Sequence, residues 1–401
     1  MTPPDTSTIA AQNADVGADL EQAELERPAF GAIIESLPDP VLVIAARNAE
    51  NLADRRVIYA NVAARDLLRI QGEGSPLVSA IRHPRVLEAA DESLFGNIHG
   101  EAAYETGGAQ DRFWRVRTQP LAPARDGARL ALMVLRDETD SRRNERMRAD
   151  FLANASHELR TPLASLTGFV ETLRGHAKDD PVARERFLGV MAAQAGRMAR
   201  LIDDLMSLSR IELNEHIAPD GRVDLVVAVL DVIDALTPLA AERGVKFKAN
   251  LASRGAAMIV GDRDQILQVA QNLIDNAVKY SPDNGVVEIL VAENQSADEA
   301  IAPTRTGAAR LSLLNPDLVG GERFVVLRVA DAGPGIAREY LPRLSERFYR
   351  VEGQKSGERL GTGLGLAIVK HITNRHRGGL AIESVEGQGT TFTAYLPRLS
   401  A

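Results

Sequence analysis

The chain has 401 residues, of which 45% are hydrophobic and 25% are charged, and it contains no cysteine. This length exceeds one ordinary core and predicts several domains, and the lack of cysteine excludes disulfides, thiolate metal sites and cysteine nucleophiles. The formal net charge is -8 and no segment is clustered in basic residues, which argues against nucleic acid as a direct partner because binding phosphates requires a basic surface.

The sequence predicts no membrane span. The richest apolar stretch, residues 225–240, is interrupted by Asp231 and Asp234, whereas a spanning helix needs roughly 18 uninterrupted apolar residues. The first residues also lack the basic and apolar regions of a signal peptide. We therefore expect a cytoplasmic protein, and the absence of cysteine fits a reducing compartment.

The N-terminal part predicts a tail followed by a small α/β domain. Residues 1–27 are polar and acidic, which is typical of a flexible tail. Within residues 28–137, strand patterns such as VLVIA, FWRVRTQPLA and ARLALMVLR surround helix-like runs. The Tyr-Ala-Asn turn at 59–61 and the closing strand that runs into residues 136–139 resemble a PAS sensor domain.

The middle of the chain predicts a helical hairpin. The charged residues 138–150 form a helical linker that continues without a breaker into residues 151–215. An apolar heptad seam is formed there by Leu152, Leu159, Leu163, Leu166, Val170 and Leu173. Pro181 then begins a second striped helix. Because one hairpin leaves its stripes exposed, we predict a homodimer in which two hairpins form a four-helix bundle.

Residues 222–398 predict an α/β sandwich, because strand-like and helix-like runs alternate there and suit a mixed sheet with helices on one side. Residues 293–322 are polar and poor in strand patterns, so we expect an elongated hairpin loop between two neighbouring strands. The predicted fold class is therefore multidomain α+β.

One histidine on the first helix stands out. His157 lies one position past the apolar seam, so its imidazole should face solvent, and a neutral exposed imidazole is a competent nucleophile. Glu158 can hold a ring proton, and Thr161 shares the helical face of His157. Pro162 removes a helical N–H and predicts a bend. Considered alone, such a histidine is usually an ordinary surface residue. The other histidines show no metal-binding spacing and are expected to be surface or packing residues.

Polar residues in the last domain suit nucleotide chemistry. Asn272 and Asn276 are four residues apart on one predicted helical face, and Lys279 and Tyr280 follow. Amide oxygens suit magnesium, the ammonium suits phosphate, and the ring can cover a base. Asp331 directly follows a strand pattern, where its carboxylate can accept a hydrogen bond from an exocyclic amine.

Two glycine-rich turns accompany these residues. The first, at 331–336, lets the backbone approach a ligand closely, and the second, at 361–366, opens a helix whose free N–H groups suit phosphate. Each is a weak signal alone. The P-loop pattern GxxxxGK[ST] is absent from the sequence, which excludes that class of nucleotide site.

Taken in order, the motifs resemble those of the sensor histidine kinases, whose ATPase domain is of the GHKL type. Residues 156–163 (SHELRTPL) are similar to the H-box and 271–280 to the N-box. The glycine turns resemble the G1 and G2 boxes, 346–350 the F-box and 387–392 the last glycine box. The resemblance covers residues 138–398.

The resemblance implies a role for each matching residue. His157 would be the phospho-acceptor, Glu158 its general base, and Thr161 the residue that positions water during dephosphorylation of the partner. Asn276 would ligate Mg²⁺, with Asn272 contributing. The implied ATP contacts are Asn272, Asn276, Lys279, Tyr280, Asp331, Gly333, Gly335, Ile336, Tyr349, Arg350, Gly361, Thr362, Gly363, Leu364, Gly365, Leu366 and Thr390, with Thr390 supporting the adenine-binding Asp331.

The implied activity is ATP-dependent autophosphorylation followed by transfer to a response-regulator aspartate. The runs LPRLSERFYRVE and GTGLGLAIVKHITNRH resemble the phosphate-regulon sensor kinases. This implies phosphate-starvation signalling, a regulator of the PhoB type, and phosphatase activity toward it. Many such sensors carry membrane helices, and their absence here leaves peripheral coupling to a membrane-bound partner as a hypothesis.

Three alternatives remain open from the residues. The chain could be a histidine kinase for another signal. It could be a GHKL ATPase that uses ATP for conformational gating, as chaperone-type and mismatch-repair members do, although the H-box argues against this. It could also be a scaffold with a degenerate kinase domain, although the asparagine and glycine motifs are intact.

Overall fold

The structure is a computed structural model that describes residues 31–70, 72–106, 112–214, 217–316, 320–351 and 361–399. It divides into two compact units, Met1–Asp150 and Phe151–Ala401. The predicted tail at 1–27 lies outside the described residues. No helix in the described residues combines the length with the apolar composition that a membrane span requires.

The first unit contains a six-stranded antiparallel sheet in the order β3-β2-β1-β6-β5-β4. The strands are β1 (Val41–Ala46), β2 (Arg56–Ala60), β3 (Ser75–Pro76), β4 (Gly100–Thr106), β5 (Arg112–Leu121) and β6 (Arg129–Asp137). The helices are α1 (Val62–Leu68), α2 (Leu77–Ala80) and α3 (Pro84–Leu94), and residues 31–36 are also helical. The sequence pattern did not predict β4, which has no apolar run and forms through its pairing with β5.

Asn61 organises the turn that the sequence analysis singled out in this unit. Its side-chain oxygen accepts hydrogen bonds from the N–H groups of Ala64 and Val41, both at 2.9 Å, and so caps α1 and ties it to β1. Its amide donates to the Asp39 carbonyl at 2.9 Å. The buried turn therefore links helix and sheet. The assignment of the unit to the PAS family stays a prediction.

The helical hairpin consists of α4 (Thr139–Arg174) and α5 (Pro181–Leu213). The predicted uninterrupted helix is confirmed and continues through Pro162. Asp180 caps α5 by accepting hydrogen bonds from Val182 and Ala183, both at 3.0 Å. Several seam positions remain exposed in the single chain, with Leu163 at 54%. This exposure is the property from which the four-helix bundle was predicted.

The remaining elements form the predicted α/β layer. Its strands are β7 (Arg222–Asp224), β8 (Lys246–Leu251), β9 (Met258–Val260), β10 (Val286–Gln295), β11 (Ala309–Leu314), β12 (Phe324–Ala330), β13 (Gly379–Val385) and β14 (Gly389–Pro397). Its helices are α6 (Leu225–Ala241), α7 (Arg263–Tyr280), α8 (Ala297–Ala300) and α9 (Gly365–Arg375), with a 3-10 helix at Arg338–Arg343. The main sheet has the order β11-β13-β14-β12-β10-β8, and β8 pairs in parallel with β10. Helices α6, α7 and α9 share one apolar core with the sheet. The predicted multidomain α+β fold is confirmed.

The prediction for residues 293–322 was wrong in one respect. The flanking strands β10 and β12 are antiparallel neighbours, as expected, but the segment between them is not simply a loop. It contains α8, and it contains β11, which pairs with β13 at the sheet edge. Because the partner strand lies about 70 residues further along the chain, the local pattern ARLSLL gave too little signal.

Candidate active site

His157 lies on α4 with its side chain exposed, as the seam predicts. One turn further along, the Thr161 hydroxyl donates a hydrogen bond to the His157 carbonyl oxygen at 3.3 Å. The neighbouring carbonyl, that of Glu158, receives no helical hydrogen bond from Pro162, because proline has no N–H. The imidazole is therefore accessible to an incoming reactant. The Thr161 side chain spans the helical turn that follows it.

The neighbouring carboxylate has a partner that the sequence did not indicate. The Arg197 guanidinium on α5 donates to Glu158 Oε2 at 2.9 Å. The two side chains are 24% and 39% exposed, so the ion pair contributes little to stability. Its effect is orientation, because it fixes one oxygen of Glu158 beside the second helix. Nothing in the spacing of α5 distinguishes Arg197 from its other arginines.

The predicted magnesium ligands lie on α7, where both Asn272 and Asn276 are half-buried. Asp262 begins this helix by accepting a hydrogen bond from Asp264 N–H at 3.0 Å. A Cβ atom added at Gly365 would lie only 2.9 Å from the Asn272 side-chain oxygen. The second glycine box and the asparagine helix are therefore in close contact through Gly365 and Asn272, which are 93 positions apart in the sequence.

Lys279 and Tyr280 end the same helix in a cationic environment. Burial lowers the pKa of Lys279, Asp275 opposes that shift, and Arg350 and Arg200 add to it. Burial also raises the pKa of Tyr280. A desolvated ammonium near two guanidinium groups favours a polyanion such as a triphosphate. The charge of the predicted residue Arg350 thus acts on the predicted residue Lys279.

Asp331 follows β12 and is buried, with 6% of the residue exposed. Its Oδ1 accepts hydrogen bonds from the N–H groups of Gly333 at 2.8 Å and Thr390 at 3.3 Å. Burial raises the pKa of this carboxyl, and the two N–H groups oppose the shift. Such a buried carboxylate gains from a further donor, which an exocyclic amine supplies.

Thr390 supports Asp331 through its backbone rather than its hydroxyl. The Thr390 hydroxyl instead lies 2.9 Å from the Ser384 hydroxyl. Ser384 Oγ also accepts a hydrogen bond from Ile336 N–H at 2.9 Å. Ser384 was not among the predicted site residues, because a serine inside a strand carries no motif. It links the first glycine box to the last one.

The glycines of the first box allow close packing. Gly335 has a φ of 71°, in the left-handed region that favours glycine. A Cβ atom at Gly333 would meet the Tyr280 carbonyl and would lie 2.8 Å from Asp331 Oδ1. The turn at 331–336 therefore lies directly against the end of α7.

The second glycine box begins α9, whose first residue is Gly365. Leu364 is fully buried and Leu366 is half-buried against the core. Gly363 has a φ of 74°, and its carbonyl accepts a hydrogen bond from Phe348 N–H at 2.9 Å. A Cβ atom at Gly361 would collide with the Lys279 ammonium. The box therefore lies between the F-box and the end of α7.

The F-box contacts the helical hairpin as well as the second glycine box. Arg347 forms an ion pair with Glu212 of α5, and its guanidinium lies 5.3 Å from the Phe151 ring centroid. The Phe151 and Phe348 ring centroids are 5.8 Å apart. The Arg343 guanidinium lies over the Tyr349 ring, 4.3 Å from the ring centroid. No sequence motif indicated these interactions.

The donor set suits magnesium rather than a tightly held metal. Within the part of the chain that the structure describes, no group of three His, Asp or Glu residues could hold a metal ion. The available donors are the amide oxygens of Asn272 and Asn276. Magnesium keeps several waters and binds phosphate oxygens, so one or two protein oxygens fit it.

Two family models match the chain. Residues 147–214 match the His Kinase A (phospho-acceptor) domain, and residues 261–400 match the histidine kinase-, DNA gyrase B- and HSP90-like ATPase. These matches contain the exposed histidine and the asparagine and glycine boxes, respectively.

Curated proteins and solved structures are also similar. The phosphate regulon sensor protein PhoR of Pseudomonas aeruginosa is 35% identical over 346 residues, which are 86% of this chain and 70% of PhoR. The sensor histidine kinase WalK of Bacillus subtilis is 32% identical over 266 residues, 66% of this chain and 39% of WalK. The structure of the histidine kinase ThkA in complex with the response regulator protein TrrA covers 92% of this chain and 98% of that chain, with 18% identity and a TM-score of 0.45.

Proposed function

The chain belongs to the sensor histidine kinases, the ATP-dependent kinases of two-component systems, and we propose that it phosphorylates itself on His157 using Mg-ATP bound between α7 and α9. The phosphoryl group then passes to an aspartate of a response regulator. The alternatives of a purely conformational ATPase and of an inactive scaffold lose support, because a phospho-acceptor domain and an ATPase domain both match this chain.

One observation carries the proposal. Two glycine boxes that lie far from the asparagine helix in the sequence converge on it at α7, where Gly365 contacts Asn272, Gly361 contacts Lys279 and Gly333 contacts Tyr280. Each contact joins a glycine box to the asparagine helix. Such convergence supports one nucleotide site with a base end at Asp331 and a phosphate end at Lys279.

The residues divide the chemistry of transfer between them. The lone pair of the neutral His157 imidazole attacks the γ-phosphorus, a nitrogen–phosphorus bond forms, and the bond to the ADP oxygen breaks. Glu158 accepts the proton from the other ring nitrogen. Lys279 and Arg350 neutralise phosphate charge. Magnesium, held by Asn276 and Asn272, supplies further charge neutralisation when bound.

Replacement of His157 tests the assignment. His157→Gln should abolish incorporation of label from γ-labelled ATP and leave nucleotide affinity unchanged, because the exposed His157 side chain is not among the residues proposed to bind the nucleotide. His176→Gln is the matched control, since His176 is also exposed on the hairpin segment. Labelling retained by His157→Gln would refute the assignment.

We further propose a homodimeric kinase that acts in phosphate-starvation signalling and also dephosphorylates its regulator, with Thr161 positioning the water. The 35% identity to PhoR supports this signal class and a regulator of the PhoB type. Phosphotransfer profiling against all response regulators of the host tests it. Preferred transfer to a regulator of other genes would contradict the phosphate role and leave the kinase assignment intact.

A further inference from the structure

The segment between β10 and β12 touches the Asp331 end of the candidate nucleotide site. We call residues 296–316 and 320–322 the β10–β12 connection. Within it, Thr304 and Arg305 precede β11, the edge strand. None of these residues belongs to a motif of the sequence analysis, and the connection has no part in the mechanism described above.

A buried carboxylate anchors the connection to the sheet. Glu383 of β13 is 7% exposed, and its oxygens accept hydrogen bonds from Thr304 N–H at 3.0 Å, the Thr304 hydroxyl at 2.6 Å and Arg305 N–H at 2.7 Å. Burial raises the pKa of Glu383, but these hydrogen bonds together outweigh burial and leave the pKa below its ordinary value. The backbone at Arg305 is therefore fixed.

From this anchor the Arg305 side chain reaches two loops at once. One guanidinium nitrogen donates to the Asp331 carbonyl oxygen at 2.7 Å, and the other donates to the Gln388 carbonyl oxygen at 2.5 Å. The first carbonyl belongs to the residue whose side chain faces the base end. The second lies two residues before Thr390, whose N–H binds the Asp331 carboxylate.

The geometry points to Arg305 as a positioning residue for recognition of the nucleotide base. Its planar fork holds the first and the last glycine box at a fixed separation, as a single ammonium cannot. The Asp331 carboxylate receives its N–H donors from these same two loops. Loosening of either loop therefore shifts the carboxylate away from the exocyclic amine that it is proposed to read.

The inference rests on the proposed function, because it requires Asp331 to face the adenine amine. If the inference is correct, loss of the Arg305 side chain changes the selectivity between nucleotides rather than the stability of the fold. ADP and IDP differ at the purine 6-position, where ADP has an amine and IDP has a carbonyl. A general loss of folding weakens binding of both nucleotides equally, whereas misplacement of Asp331 weakens binding of ADP alone.

The test is calorimetric titration of the full-length chain with ADP and with IDP in the presence of magnesium. Arg305→Met should reduce the preference for ADP over IDP roughly five- to tenfold, the effect of losing one good hydrogen bond. Arg323→Met, an exposed arginine that precedes β12 at the end opposite Asp331, is the matched control and should retain the preference. An unchanged preference in Arg305→Met would overturn the inference.

Two further variants keep the outcome interpretable. Arg305→Lys preserves the charge but cannot reach both carbonyls, so it should lose part of the preference, and it decides the matter if Arg305→Met does not fold. Full preference in Arg305→Lys would then overturn the inference. Asp331→Asn should abolish the preference. If it does not, the proposed base contact itself fails, which is a different result from a failure of Arg305 alone.

Discussion

The Thr362 hydroxyl donates a hydrogen bond to the Asp204 carboxylate at 2.7 Å, and so joins the second glycine box to helix α5 of the hairpin. Thr362 also accepts a hydrogen bond from Leu364 N–H at 3.3 Å. The turn that begins α9 is therefore held by a residue outside the ATPase domain match. Burial raises the pKa of Asp204, and the bond from Thr362 opposes that shift.

We expect Asp204→Ala to loosen the second glycine box. Loss of one hydrogen bond is worth about 1 kcal/mol, so amide exchange across residues 361–366 should accelerate several-fold, while exchange near Asp331 stays unchanged. Hydrogen–deuterium exchange measured by mass spectrometry reads both regions. Asp203→Ala, at the exposed neighbouring position, is the control. Equal exchange in both variants would show that the Thr362 contact does not restrain the turn.

Removal of Arg197 should slow autophosphorylation through Glu158. Loss of a general base lowers a rate roughly 100-fold or more, so Glu158→Gln gives the rate without a base. The autophosphorylation rate of Arg197→Met should lie between that rate and the rate of the unaltered chain, because the carboxylate remains but loses its orientation. Initial rates of label incorporation measure this, with Arg160→Met as the exposed control. An unaltered rate in Arg197→Met would separate the ion pair from catalysis.

Stability should fall in mild acid because of His376. Its Nε2 accepts a hydrogen bond from Asp262 N–H at 3.1 Å, and its Nδ1 lies 2.8 Å from the Ile372 carbonyl. Burial lowers the pKa of His376 below its ordinary value of 6.5. The unfolded chain therefore binds the proton more readily, and the stability contribution is complete above pH 6.5 and declines as the pH falls toward the folded-state pKa.

Thermal melting between pH 8 and pH 5 tests this assignment. The melting temperature of the unaltered chain should decrease as the pH falls. The melting temperature of His376→Gln should be lower at pH 8 but should decrease less over the same range. His176→Gln, at an exposed position, should follow the unaltered chain. A His376→Gln variant with the same pH dependence as the unaltered chain would assign the acid sensitivity to other groups.

A charge on the exposed seam should prevent dimer formation. Leu163 is 54% exposed in the single chain, and we expect it to be covered by the second hairpin. Leu163→Asp would bury an unpaired carboxylate there, which is costly, so sedimentation should show a monomer. Ser165→Asp, two residues along on the outward face, should remain dimeric. A dimeric Leu163→Asp would place the interface elsewhere.

Much of the architecture could be read from local patterns. The seventh-residue leucines predicted α4, the first-turn Pro181 predicted the start of α5, and alternation of strand and helix patterns predicted the mixed sheet. These features depend on residues that are close in sequence, and periodicity reports them directly. Among the elements that local patterns did not predict are the strands β4 and β11, each of which forms only by pairing with another strand, and the helix α3.

Some residues of the candidate site could likewise be identified from local patterns, and others could not. Motif spacing identified His157, the asparagines, Asp331 and the glycine boxes, but it did not indicate Arg197, Asp204 or Ser384. None of these three has a local signature, because a lone arginine or aspartate on a helix is ordinary and a serine inside a strand belongs to no motif.

The sequence by itself determined which chemical groups this kinase carries and the helices and strands that bear them. Only the tertiary structure decided which groups meet: Glu158 with Arg197, Thr362 with Asp204, and Arg305 with the loops around Asp331. The physical reason is that hydrogen bonds and ion pairs depend on distances of a few ångströms, and the fold sets these distances between residues that are far apart along the chain.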